Sequence, residues 1–129
     1  MKEMGQRNFL ESLAAPFGGG EVFDDVQDTV YFVKDDGGRY VFVNEALVKR
    51  CGGGSKGDLL GKTAAEVFPG PLGEDFEGQD RAILAGGPAI RSQLELHVYP
   101  DGRQGWCLTW KRPLKGLDGR VKGLSGISR

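Results

Sequence analysis

Few residues of this 129-residue chain could do covalent chemistry. There is one histidine, His97, and there are two cysteines, Cys51 and Cys107. No GxSxG elbow, no GxxxxGK phosphate loop and no grouping with metal-ligand spacing occurs, so no nucleophile finds a base by sequence. Neither catalysis nor a metal site is expected. Without CxxC spacing, the cysteines read as two free thiols of a reducing compartment, and redox sensing by Cys107 would require a lowered thiol pKa. His97 falls on a strand pattern, on the Glu95 face opposite Leu94, Leu96 and Val98, where a lone histidine is ordinarily a surface or hydrogen-bonded residue. Trp106, Leu108 and Trp110 alternate, which puts both indoles on one face of one strand, as pocket wall or partner surface. Arg91, Lys111 and Arg112 could offer charge to an acidic ligand, but long basic side chains near strand ends are usually solvated.

The elements that must position these residues follow from punctuation and period. Thr29 to Lys34 and Arg39 to Asn44 flank Asp35-Asp36-Gly37-Gly38, a β-hairpin signature. Asn44 then caps a helix over Glu45 to Cys51. Both faces of both hairpin strands are largely apolar, so the hairpin is expected to be central in a sheet covered on both sides. Ser55 caps a turn at Lys56 to Leu60, Thr63 with Glu66 forms a capping box for Ala64 to Phe68, and a longer helix runs from Leu72 to Ala85. Strands follow at Ala89 to Tyr99, Trp106 to Leu114 and Arg120 to Ser128, with turns at Pro100 to Arg103 and at Asp118-Gly119. Ahead of all this, Lys2 to Ala15 reads as an amphipathic helix and Gly18 to Gly20 as a hinge, while Glu21 to Gln27 is a short helical turn with Phe23 and Val26 inward. The pattern predicts an α+β domain: a five-stranded antiparallel sheet with short helices on one face and an N-terminal helix.

Composition sets the class. With 39% hydrophobic and 27% charged residues and a net charge of −1, the chain reads as one soluble domain with a single core. No apolar run is long enough to cross a bilayer and residues 1–10 lack a signal-peptide pattern, so the cytoplasm is the expected compartment. Near-neutral charge speaks against direct nucleic-acid contact by this segment. The 22 glycines punctuate many short elements.

From about Phe23 to Arg129 the sequence resembles the PAS family. The resemblance rests on an ordered set: the DDGGRY turn with its VNEA exit, GDLLGKTAAEVFP, a helix ending in LAGG, LELHVYPDGR, WCLTWKRPL and the final GLSGISR. With the helix and hinge read from the spacing ahead of it, the chain divides into residues 1–20, amphipathic helix and glycine hinge, and residues 21–129, the PAS domain that the resemblance implies. GKTAAEVFPGPLGEDFEGQD with GWCLTWKRPL looks most like PAS domains of bacterial AraC-type transcriptional regulators. DNA would then be met through a helix-turn-helix domain beyond Arg129, and these residues would be a sensor binding a small molecule. A sensor of a histidine kinase or of a cyclic-dinucleotide enzyme, or a ligand-free dimerisation module, are the alternatives. Flavin is disfavoured, because the cysteine of the GxNCRFLQ-like helix is replaced by GKTAAEVFP. Haem is disfavoured, because the long helix holds no histidine. In this fold Phe32, Phe42, Phe68, Phe76, Leu84, Leu96, Leu108 and Trp110 are the candidates to line a pocket. Phe9, Leu10, Leu13 and Phe17 are the candidate faces of a homodimer.

Overall fold

A computed structural model describes residues 2–13, 21–99 and 101–129. Five strands, β1 (Val30–Asp35), β2 (Tyr40–Val43), β3 (Ile90–Val98), β4 (Gln104–Lys115) and β5 (Val121–Ser128), make one antiparallel sheet in the order β2-β1-β5-β4-β3. Helices α1 (Lys2–Glu11), α2 (Glu45–Arg50), α3 (Ala64–Val67) and α4 (Pro71–Leu84), with 3-10 turns at Glu21–Asp25 and Lys56–Asp58, make up the rest of the regular structure among the described residues. The last strand therefore returns between the first and the fourth. Period alone could not show that pairing.

The hairpin turns where its residues demand. Gly38 has φ 74°, and Asp35 accepts the Gly37 and Arg39 N–H groups at 2.9 and 3.0 Å. The hairpin is not central, however: β2 is an edge strand. Its outer edge is met instead by the chain ahead of α3, where Tyr40 N–H donates to Lys62 O and Gly61 N–H donates to Tyr40 O. That contact pairs backbone groups along the edge, while the side chain of Val41 stays 52% exposed. Between Val33 and Lys34 the register slips, and Val41 is the extra residue. This bulge puts Tyr40 and Val43 together on the inner face and leaves Phe42 on the outer one.

Asn44 joins sheet to helix. Wholly buried, it accepts from Tyr31 N–H and Leu47 N–H through Oδ1 and donates to Thr29 O and Phe23 O through Nδ2. Strand exit, helix cap and the preceding turn are thus tied to one amide. The core lies between sheet and helices and is built from Val30, Phe32, Tyr40, Val43, Leu47, Val48, Leu59, Ile83 and Leu124. Phe23 departs from its expected inward course: no residue of the Glu21–Asp25 turn is buried, and its ring stacks on Tyr31 at 4.5 Å on the outer face.

At the other end of the chain, α1 stops at Glu11, short of the expected Ala15; Phe9 on it is 64% exposed, and Leu13, two residues past its end, is 39% exposed. Residues 14–20, which include Phe17 and the triple glycine, and the side chain of Leu10 lie outside the described residues.

Candidate functional site

Alternation along the strands decides which side chains meet the helices. On β3 and β4 these are Glu95, His97, Cys107, Thr109 and Lys111, all buried, while Leu94 and Trp106 are 61% and 67% exposed. Polar residues face in and apolar residues face out, the reverse of the usual sorting. Across the sheet, Lys111 pairs with Gly126 and Gly126 with Phe32, while Thr109 pairs with Ser128 and Ser128 with Val30. One row of the inner face therefore runs Phe32, Gly126, Lys111. A Cβ on Gly126 would clash with the Cζ end of the Phe32 ring, so glycine is what lets that ring lie against the strand.

The charged groups on the inner face are met by α4. Asp80 takes Lys34 Nζ on Oδ2 and Lys111 Nζ, at 3.0 Å, on Oδ1. Gln79, one residue earlier, accepts from Lys111 at 3.0 Å and donates to Glu95 at 2.6 Å. Aromatic rings enclose both ammoniums: Lys34 lies 4.4 Å from the Tyr40 centroid and Lys111 lies 5.4 Å from that of Phe76. Burial brings Lys34 down to about 8, opposed by the charge of Asp80 and reinforced by that of Lys111. Burial works against the Glu95 charge too. There the polar groups of His97, Thr109 and Gln79 and the Lys111 ammonium outweigh it, and the carboxyl falls to about 2. His97 contributes as a neighbouring dipole only, since its Nε2 stands 3.9 Å from Glu95 Oε1, beyond hydrogen-bond range.

Between these groups lies a cavity lined by Val30, Phe32, Lys34, Tyr40, Phe68, Phe76, Glu95, His97 and Lys111, with Arg50 at one end. Its free volume is about 30 Å³, room for one or two waters. An organic molecule enters only if the walls move apart. Next to it, an open cleft of about 440 Å³ runs between Cys51, Val67, Leu72 and Tyr99 and shares Arg50 and Phe68 with the cavity. These two side chains stand between cleft and interior.

The structure sorts the eight pocket candidates. Phe32, Phe68 and Phe76 lie on the cavity wall, and Leu84 packs against the core without lining it. Phe42, Leu96, Leu108 and Trp110 do not face the interior. The β2 bulge turns Phe42 outward onto Tyr31, with ring centroids 5.7 Å apart. The inward parity of Glu95 and His97 puts Leu96 outside, and that of Thr109 and Lys111 does the same for Leu108 and Trp110. Trp110 instead walls a shallow outer groove with Tyr31, Ile127, Arg91 and Arg112. His97, read as a surface or hydrogen-bonded residue, is hydrogen-bonded by Arg50 and lies in the interior rather than on the surface. Lys34, Gln79, Asp80 and Glu95 were not singled out by sequence. The available signal was Asp80 itself, set between Phe76 and Ile83 on the inner stripe of α4.

Nothing in this arrangement pairs a nucleophile with a base. Burial pushes the Cys51 thiol up to about 12 despite the opposing charge of Arg50, which makes it a poor thiolate. What the interior offers is recognition: cations and a ring N–H against aromatic faces.

A family model described as the PAS fold matches residues 23–129. The chain belongs to the PAS family. A search of curated protein sequences returns no match. Among solved structures, the PAS domain resembles VqmA bound to DPO, with TM-score 0.69 and 25% identity over 84% of this chain and 53% of that one. The Vibrio cholerae VqmA dimer without target DNA aligns with TM-score 0.70 and 23% identity over 88% and 52%. The PAS domain of Bordetella pertussis BvgS aligns with TM-score 0.63 and 25% identity over 83% and 79%. This PAS domain thus spans about half the length of the VqmA chains it matches. Among its described residues no helix is long and apolar enough to cross a membrane.

Proposed function

We propose that this PAS sensor domain binds a small molecule in the cavity between sheet and α4, and that it regulates a DNA-binding transcriptional regulator in the cytoplasm. The observation that carries the reading is the interior itself. A core built for stability alone has little use for two lysines, two carboxylates and a histidine, because burying such groups costs free energy that well-packed apolar residues would not. Here both lysines, Glu95 and His97 line a cavity that also has aromatic walls, and Asp80 holds the two lysines from α4. The 25% identity to a VqmA bound to DPO supports the same site class and makes DPO the first ligand to try.

The likeness to VqmA, whose DNA-free dimer is described for LuxR-type receptors, supports a LuxR-type output rather than the AraC-type output suggested by the motifs. Signalling is a population shift. A ligand that spreads the cavity favours one arrangement of β5, which lines the cavity through Ser128 and ends beside β4, where Arg129 and Leu108 exchange backbone hydrogen bonds. The domain acts as a homodimer through α1 and the apolar outer face of the sheet.

Native mass spectrometry of the protein as purified from cells, with and without added DPO, tests the reading. Added mass that is lost on denaturation supports it. A bare chain that takes up neither a cellular molecule nor DPO counts against it.

A further inference from the structure

Resting on the ligand-binding reading above, we infer that His97 is the specificity-determining donor of the cavity, and that the ligand carries a carbonyl-type or anionic hydrogen-bond acceptor placed to meet its Nε2–H. The argument begins with the other ring nitrogen. Arg50 NH1 lies 3.1 Å from His97 Nδ1. A guanidinium has five N–H donors and no acceptor, so Nδ1 must be the lone-pair nitrogen and the ring proton sits on Nε2. The same guanidinium nitrogen also approaches Cys107 Sγ at 3.4 Å, and its group lies 5.2 Å from the Tyr99 ring, which holds it in place.

The side chain of His97 is only 9% exposed and lines the cavity. Its Nε2 is the one buried side-chain N or O atom among the described residues without a hydrogen-bond partner. The nearest carboxylate oxygen, Glu95 Oε1 at 3.9 Å, is too far and is held by a carboxylate already engaged with Gln79. A buried N–H left unpaired costs on the order of 1–3 kcal/mol. The cavity has room for one or two waters, so this N–H can exchange a water for an acceptor on an entering ligand. Phe76, 5.3 Å from the imidazole, and Phe68 behind it make one wall flat and apolar. On the other side the lysines donate and accept nothing. The ring N–H therefore calls for an acceptor on the ligand, while Glu95 Oε1 is the carboxylate oxygen left to take a donor.

The chain has a single histidine, so ring-nitrogen NMR of the untagged, uniformly ¹⁵N-labelled protein reads His97 alone. Without ligand, long-range ¹H–¹⁵N correlation is expected to show the Nε2–H tautomer. The Nδ1–H tautomer or an imidazolium at neutral pH overturns the inference whatever the ligand. Cyclohexanone and its isostere without an acceptor, methylenecyclohexane, are then titrated into wild type, His97→Gln and His97→Phe. The expected result is a shift of His97 Nε2 by the ketone alone, with ketone affinity lowered at least tenfold in His97→Phe and partly restored in His97→Gln. Ketone binding that moves Phe76 and Lys111 signals but leaves Nε2 unmoved overturns the role of His97 and spares the ligand-binding reading. No binding of the ketone overturns the acceptor rule, and the mass measurement above decides separately whether the cavity takes any ligand.

Discussion

Lys34 and Asp80 stand 46 residues apart in the chain and form an ion pair whose side chains are 1% and 2% exposed. The pair joins the hairpin strand β1 to helix α4, and Lys111 on β4 takes the remaining oxygen of the same carboxylate. One carboxylate thus serves two ammoniums, and sheet and helix are held at a charge-specified distance with a cavity between them.

Asp80 is the member whose loss leaves most behind. Asp80→Asn strands two buried ammoniums beside one amide and is expected to destabilise the fold by roughly 3–5 kcal/mol. Urea unfolding checks this, and a loss under about 1 kcal/mol would mean that the triad is open to water.

Asn44 makes four hydrogen bonds with one side chain. Asn44→Ala removes the cap of α2 and orphans groups on three segments, at a cost of roughly 3 kcal/mol. Asn44→Asp keeps the acceptor and loses both donors to Thr29 O and Phe23 O, so it rescues only part of the loss in thermal melts.

The depressed Glu95 carboxyl makes stability pH-dependent in a definite direction. Its ordinary value of 4.5 falls to about 2 in the fold, so the unfolded chain binds the proton first as pH drops. The contribution is complete above pH 4.5 and is lost as pH falls toward 2. Solvent screening trims it to about 2 kcal/mol. Stability measured against pH should fall less steeply across this window in Glu95→Gln than in wild type; parallel curves would show that the carboxyl is not held ionised.

Phe9→Asp with Leu13→Asp introduces one charge on an exposed apolar position of α1 and another two residues past its end. Sedimentation velocity is expected to show a weakened dimer with an unchanged thermal midpoint. An unchanged sedimentation profile removes α1 from the interface.

The architecture was legible because turn chemistry and caps are local. Asp35 to Gly38, Asn44 and Thr63 each specify their own neighbourhood, and with the later turns at Pro100 to Arg103 and Asp118-Gly119 they bound all five strands within a few residues. The strand order was not legible, since pairing of β5 with β1 depends on atoms some ninety residues apart in sequence, such as Phe32 and Gly126. The site was half legible. Aromatic residues on helices and on β1, namely Phe32, Phe68 and Phe76, lie at the cavity. Period two separates Glu95 and His97 from Leu94 and Leu96 but cannot say which set meets the helices. Assigning the apolar set inward failed for Leu96, Leu108 and Trp110 because the helix opposite them brings Gln79 and Asp80, which make a polar interior the satisfied one. Phe42 failed for a different reason, a one-residue bulge invisible to alternation.

The central claim is that a small molecule enters between sheet and α4 rather than settling on the apolar outer face. Both tryptophans, Trp106 and Trp110, lie on that outer face, which makes their indole N–H signals a built-in control. Titration of the ¹⁵N-labelled chain with DPO, or with the molecule found by native mass spectrometry, is expected to shift Lys34, Gln79, His97 and Lys111 while both indole signals stay in place. Shifts confined to Leu94, Trp106 and Trp110, with the interior unmoved, would contradict it.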